Sequence, residues 1–206
     1  MGKVPVITID GLSGAGKGTV SKMLCTELGW NILDSGALYR TLTFLIDKKE
    51  IDIDDFIHKK DEFLRDFEVS FQVGSLGEPV SVFLKEEDIT DLVRTEKIAV
   101  KTSAFSSLKV IRDFIRPCQR AFKQPPGLIA DGRDMGTVIF PEADLKIYLT
   151  ASLEERAKRR EIQLKRLGTK VNMRTLLDEL EARDKKDIER DLSPLKPAED
   201  SFLIET

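Results

Sequence analysis

Close to the start of the chain a short β-branched run, Val4-Pro5-Val6-Ile7-Thr8-Ile9, ends at Asp10 and passes directly into Gly11-Leu12-Ser13-Gly14-Ala15-Gly16-Lys17-Gly18-Thr19. A buried strand feeding a glycine-rich loop that opens a helix is a strong constraint, because the strand must end where the loop's amides converge. The glycines let successive backbone N–H groups point inward, the helix N-terminus adds positive potential, and Lys17 supplies a compact cation for the outer phosphates. The nine residues Gly11 to Thr19 are therefore the expected cradle for a nucleotide's phosphates. The residue after Lys17 is Gly18, and the hydroxyl comes one position later at Thr19, so a divalent cation here is expected to be held through phosphates and water, with Thr19 as a possible ligand.

The pattern that follows is β-α-β-α. Val20, Met23, Leu24 and Leu28 recur at helical spacing from Lys17 and Gly29 stops the helix. Trp30 to Asp34 reads as a strand and Ala37 to Ile46 as a second helix, which predicts a parallel sheet with helices on its faces. The middle breaks this rhythm. Phe67 to Val73 alternates apolar and polar residues, Gly74 to Pro79 is turn-rich, and Val80 to Leu84 is strand-like again, so a small antiparallel insertion is expected. Before it, Asp47 to Glu68 holds nine acids against five bases and reads as a solvated helical connector that carries His58 on its surface. Arg94 to Phe105 and Leu108 to Phe122 are expected helices, the second kinked or bounded at Pro117. Strands return at Gly127 to Asp131 and Leu145 to Leu149, and Ser152-Leu153-Glu154-Glu155 has the form of a capping box. Helices to about Gly168 and from about Asn172 to Ile188, then a strand at Ser201 to Ile204, complete the reading.

Composition excludes several classes. The 33 Lys and Arg nearly balance 36 Asp and Glu, giving a net charge of −3, so no long nucleic acid is expected as partner. His58 is the only histidine, and Cys25 and Cys118 have no metal-like spacing, which argues against a zinc site or a histidine-based triad. Val4 to Ile9 is too short for a signal peptide's apolar region or a membrane span, and points to a reducing, cytoplasmic setting with no membrane partner. Nothing such as a heptad seam asks for assembly, so a monomer is expected.

The charge is strongly local. Ser152 to Lys170 carries seven bases against three acids, with Arg156, Arg159 and Arg160 at i, i+3 and i+4. This is either a solvated cationic face or a phosphate clamp. In the next helix the stripe begun by Leu176 and Leu180 continues to Arg183, Asp187 and Arg190, as if the helix left the core to line a polar cleft. A plain surface pair between Arg183 and Asp187 is the alternative. Asp34-Ser35-Gly36-Ala37-Leu38-Tyr39-Arg40 places a hydroxyl at a helix start with an arginine one turn in. Gly132-Arg133-Asp134-Met135-Gly136 puts another Arg–Asp pair beyond a strand's carboxyl end, where open α/β sheets bind ligands. Asp131, ending its strand, is placed either to steady a Mg²⁺ shell or to cap the next turn. So many arginines at strand ends imply more phosphate than one nucleotide carries.

Taken together, ITIDGLSGAGKGT (7 to 19), LDSGALYR (33 to 40), QRAF (119 to 122) and PGLIADGRDMGTVIFPEADLKIYL (126 to 149) resemble the bacterial cytidylate kinases of the nucleoside monophosphate kinase group. The resemblance implies an α/β, P-loop NTPase-type core with a five-stranded parallel sheet, a small antiparallel β insertion in the monophosphate-binding region, and a mobile helical lid. On that reading 1–206 is a single kinase domain: core at about 1–33, 104–154 and 171–206, monophosphate-binding region at about 34–103, lid at about 155–170. It implies transfer of the γ-phosphoryl group of ATP to CMP or dCMP with Mg²⁺. Carried across, CMP would be held by Ser35, Arg40, Ser103, Arg112, Arg133, Asp134, Arg183, Asp187 and Arg190. Arg156 and Arg160 match the lid arginines, and Lys17, Arg133, Arg156, Arg160 and Asp131 would form the catalytic set.

The expected chemistry is direct in-line transfer, in which the acceptor is already a phosphate oxygen and no strong base is required. Two competing classes are a P-loop kinase for a different small acceptor and a nucleotide-dependent switch. A phosphate-free acceptor would leave Arg40, Arg133, Arg183 and Arg190 without purpose, and the N-K-x-D guanine-reading motif of many switches is not found in the sequence.

Overall fold

The structure is a computed structural model that describes residues 2–74, 78–166, 168 and 171–206. The apolar run near the N-terminus forms β1 (Val6–Gly11), a wholly buried strand, and the glycine loop leads into α1 (Lys17–Leu28). Then follow β2 (Asn31–Asp34), α2 (Ser35–Lys48), α3 (Ile53–His58) and α4 (Lys60–Asp66). The insertion holds β3 (Val69–Gln72), β4 (Ser81–Leu84) and β5 (Glu87–Asp88), and α5 (Thr90–Val93), α6 (Glu96–Phe105) and α7 (Lys109–Ala121) return the chain to the core. Last come β6 (Leu128–Asp131), a π-helical turn at Met135–Ile139, β7 (Leu145–Thr150), α8 (Leu153–Arg166), α9 (Met173–Glu189) and β8 (Phe202–Glu205).

The main sheet has five parallel strands in the order β2-β6-β1-β7-β8, as expected of the P-loop class, and β3-β4-β5 form a separate antiparallel sheet. Because β1 lies between β6 and β7, its carboxyl end has the ends of other parallel strands on both sides, and helices α1, α2 and α8 all depart from that one edge. One core lies between the sheet, α2, α7 and the insertion, and a second packs α1 on the opposite face. A small third cluster joins α8 to α9 through Ala157, Leu176 and Leu180. Among the described residues no helix is long and apolar enough to cross a membrane.

Helix starts are set locally. Asp34 Oδ1 accepts the Ala37 N–H at 2.9 Å, Ser152 Oγ accepts the Glu155 N–H at 3.2 Å as its capping box predicts, and Asn172 caps α9. Gly11 is the one loop glycine that geometry demands most plainly. Its φ is +144°, and a Cβ there would lie 2.1 Å from the Leu149 carbonyl oxygen, so the loop can leave β1 this close to β7 only without a side chain.

Four expectations are corrected. The acidic connector is helical, with His58 exposed, yet it is more than a solvated face: Phe56 and Phe63 are fully buried, their rings 5.0 Å apart edge to face, and Phe56 also meets Phe114. Two short helices turn one aromatic each inward and leave their acids in water. Pro117 does not bound its helix, since α7 runs through it to Ala121. The buried face of α1 is Lys17, Ser21, Lys22 and Cys25, while Met23 and Leu28 are exposed, because the phosphate loop fixes the rotation at which the helix meets the sheet. Finally, the stripe on α9 runs Leu176, Leu180, Asp184, with Arg183 and Asp187 flanking it, because a 3.6-residue repeat carries Leu180 to Asp184 on the buried side. The turn expected at 74–79 lies partly outside the described residues, as does the lid segment after Arg166 apart from Gly168, whose φ of +73° suits a helix end.

Candidate active site

The phosphate loop is built around Lys17, which is 7% exposed and whose Nζ donates to the Leu12 carbonyl at 2.9 Å. Burial lowers its pKa to about 8, with Arg133 pushing the same way and Asp131 and Asp10 opposing. Asp131 ends β6 next door. Its carboxyl is raised to about 6, chiefly by burial, with Lys17 opposing and Asp34, its register neighbour on β2, adding to the rise. The hydroxyl that reaches Asp131 is Ser21's, one turn into α1 at 3.5 Å. A Cβ on Gly18 would stand 3.8 Å from Asp131 Oδ2, an ordinary contact distance, so α1 runs beside this carboxylate at Gly18. Thr19 is exposed on the same helix.

Opposite this loop, arginines and carboxylates are interlocked at the strand ends. Arg112 and Asp134, each with a side chain 4% exposed, form a direct ion pair, and Arg112 also donates to the Ser106 carbonyl at 3.0 Å and lies over the Tyr39 ring. Arg133 Nε donates to Asp187 Oδ2 at 3.0 Å, and Arg190 stands between Asp187 at 3.7 Å and Asp134 at 4.0 Å. The result is one chain of alternating charge: Arg112, Asp134, Arg190, Asp187, Arg133. Burial lowers the Arg40 guanidinium to about 10, with Arg183 the next contributor, and Arg183 and Arg190 are also lowered mainly by burial. For Arg133 burial is outweighed by its carboxylate neighbours, first Asp187, and its pKa rises. An arginine lowered by burial and by its neighbours' positive charge is underneutralised, and an added anion would relieve it.

The expected residues therefore divide. Lys17, Asp131, Arg133, Asp134, Arg112, Arg183, Asp187, Arg190 and Arg40 converge on the carboxyl edge of the sheet. Ser35 is buried at the start of α2, where its Oγ accepts from Gln119 Nε2 at 2.8 Å. Ser103, half-buried on α6, is linked to the cluster through Ser106, whose Oγ donates to the Ser103 carbonyl at 3.3 Å and whose own carbonyl accepts from Arg112. Arg160, two turns into α8, meets Glu96 at the start of α6 at 3.6 Å, joining the two helices. Arg156, the other arginine matched to the lid, is placed differently. It is 4% exposed at the root of α8, bonded to the Ala151 carbonyl (3.1 Å), to Ser13 of the phosphate loop (3.2 Å) and to Asp184 Oδ2 (2.5 Å). Its place near the first turn leaves it under the helix, against the strand it follows.

Residue patterns gave no site role to Ser21, Gln119, Asp184 or Asp10, and Arg159 was noted only as one of three spaced arginines. Arg159 approaches the Gly14 carbonyl at 3.5 Å. Of these, Asp184 had a usable signal, eight residues after Leu176 and four after Leu180. The others depend on contacts between elements far apart in sequence.

A strand–glycine loop–Lys–helix unit at the carboxyl edge of a five-stranded parallel sheet, facing a dense arginine cluster, defines a P-loop kinase-like phosphotransferase fold. The cytidylate kinase family model matches residues 7–206, and the chain belongs to that family. It is 47% identical over 208 residues to a cytidylate kinase of Pseudomonas putida (strain W619), covering 99% of this chain and 89% of the relative. A cytidylate kinase of Pseudomonas aeruginosa (strain UCBPP-PA14) is 46% identical over 209 residues, covering 100% and 89%. Among solved structures, TT1252 from Thermus thermophilus aligns over 100% of this chain and 90% of its own with a TM-score of 0.44 at 18% identity, a distant likeness that adds nothing to the family assignment.

Proposed function

We propose that this chain transfers the γ-phosphoryl group of ATP to CMP or dCMP by direct in-line displacement, acting as a monomer in the cytoplasm. The observation that carries the acceptor assignment is the alternating chain Arg112, Asp134, Arg190, Asp187, Arg133 opposite the phosphate loop, with Arg40 and Arg183 beside it. It offers more buried cationic charge than ATP alone would use. In this reading the amides of Gly11 to Thr19 and Lys17 hold the donor phosphates. Ser35, Arg40, Ser103, Arg112, Arg133, Asp134, Arg183, Asp187 and Arg190 hold the pyrimidine monophosphate. Arg133 and Arg160 neutralise charge on the transferring group, and Arg156 contributes by fixing Ser13 of the loop.

The donor set suits Mg²⁺ held mainly by phosphate oxygens and water. Among the described residues no group of three or more His, Cys, Asp or Glu side chains is arranged to hold a metal, whereas Asp131 stands beside Lys17 and Ser21 where it would bind the ion's water shell. The ion supplies charge neutralisation across the phosphates. Residues 155–170 act as the lid over a core of about 1–33, 104–154 and 171–206, and residues 34–103 bind the acceptor. Closure, with the Arg160–Glu96 contact as its near edge, excludes water from the transfer. The thiols of Cys25 and Cys118 are free, which suits a reducing compartment.

A coupled ADP-release assay with Mg-ATP across CMP, dCMP, UMP, AMP and GMP tests the assignment. Strong turnover with CMP and dCMP is expected. Preference for a purine monophosphate refutes the cytidylate reading, and slow turnover indifferent to every acceptor refutes a kinase altogether.

A further inference from the structure

Asp10 is the penultimate residue of β1, and its side chain is buried at the strand end. It is 5% exposed, and each oxygen accepts one backbone N–H: Met135 N to Oδ1 at 2.9 Å and Gly136 N to Oδ2 at 2.8 Å. These two amides follow immediately after Arg133 and Asp134, both members of the arginine–carboxylate chain. The turn is closed on its other side by the Asp134 carbonyl, which accepts from Val138 and Ile139 N–H. The short turn therefore has its first amides held by one carboxylate from the central strand.

Asp10 itself has little freedom to move. It stands in register with Tyr148 of β7, and its successor Gly11 is pressed against Leu149, where even a Cβ would clash at 2.1 Å. The same residue pair thus opens the phosphate loop and grips the acceptor loop. Asp131, in register with Ile9, belongs to the opposite face of the sheet, so it is not positioned to replace this carboxylate.

We propose that Asp10 is a positioning residue, which holds Arg133 and Asp134 at a fixed place relative to the phosphate loop and so sets acceptor affinity without touching either nucleotide. The role rests on the reading of Arg133 and Asp134 as acceptor-binding groups. The charged and titratable groups around it are Lys17 at the start of α1, Arg133 and Asp134 on the acceptor loop and Tyr148 on β7. Burial raises its carboxyl to about 7, which is consistent with a group retained for the two amides and not for solvation.

The test is steady-state kinetics on Asp10→Asn at pH 8 with Mg-ATP and CMP, alongside thermal unfolding. Asparagine can accept from one amide but turns an NH₂ toward the other, leaving a buried N–H unpaired. The expected result is a KM for CMP raised about tenfold or more, with the KM for ATP within about twofold of wild type. A merely structural role would lower the melting temperature without separating the two constants. Gly136→Ala provides a second route that leaves Asp10 in place: its Cβ would lie 2.8 Å from Thr8 Oγ1 and 3.2 Å from Lys146 Cδ, crowding the loop off the carboxylate. The same acceptor-selective loss is expected, and this variant decides the matter if Asp10→Asn does not fold. Acceptor KM unchanged in both variants, or ATP KM raised equally, overturns the positioning role alone. A wild-type protein that turns over no CMP removes the functional reading and the positioning role with it.

Discussion

Replacing Asp184 by alanine should loosen α9 from the root of α8. Asp184 and Arg156 form an ion pair at 2.5 Å with side chains only 9% and 4% exposed, so solvent screening is weak. Removing one partner of such a buried pair leaves an uncompensated charge, at a typical cost of about 3–5 kcal/mol. Here the lower end applies, because Arg156 keeps the Ser13 and Ala151 carbonyls as partial compensation. With an unfolding entropy of about 2.1 cal/mol/K per residue over 206 residues, a loss of about 3 kcal/mol lowers Tm by about 7 °C. The KM for ATP should rise in Arg156→Met, where no guanidinium is left to hold the Ser13 carbonyl. Scanning calorimetry on Asp184→Ala, Arg156→Met and the double variant Arg156→Met/Asp184→Ala measures the coupling directly. The double variant should lose less stability than the two single losses combined, since it buries no orphaned charge. A single variant within about 1 °C of wild type, or strict additivity in the double, would refute this account of how α8 and α9 are joined to the loop.

Lys17→Ala should lower kcat by about 10²–10³-fold, the usual cost of one preorganised donor to a developing charge, without loss of fold, because the lysine's own burial opposes its charge. Unchanged turnover would remove Lys17 from the catalytic set. The buried carboxyls of Asp10 and Asp131 have folded pKa values of about 7 and about 6, above their unfolded values. Their contribution to stability is complete below about pH 4 and is lost as pH rises through 6 to 7. Urea unfolding of wild type at pH 5 and pH 7.5 should show this loss, and Asp10→Asn should flatten it. An equally steep pH dependence in the variant would contradict the assignment.

Elements whose signal is local were readable residue by residue. The loop from Gly11 to Lys17, the Ser152 cap and the period-two strand around Phe71 needed no partner to be recognised. The same patterns are silent about rotation. Met23 and Leu28 fit a helical stripe yet face water, because α1 takes its orientation from Lys17 and the sheet edge. Phe56 and Phe63 sit in an acidic stretch whose average character conceals that each short helix turns one ring into the core.

For the site, spacing sufficed to place a phosphate loop and a set of strand-end arginines on one α/β chain, because each rests on residues within a few positions of one another. Which arginine is buried and which faces another element did not follow from spacing. Arg156 and Arg160 are equivalent in sequence, one turn apart, but only the fold sets Arg156 under the helix against Ser13 and Asp184 and leaves Arg160 facing Glu96. Asp10 reads as the polar end of a strand, and its two acceptor bonds are to amides 125 and 126 residues away. Short-range pattern determines what an element is, whereas burial and the pairing of charges depend on which elements the sheet order brings side by side.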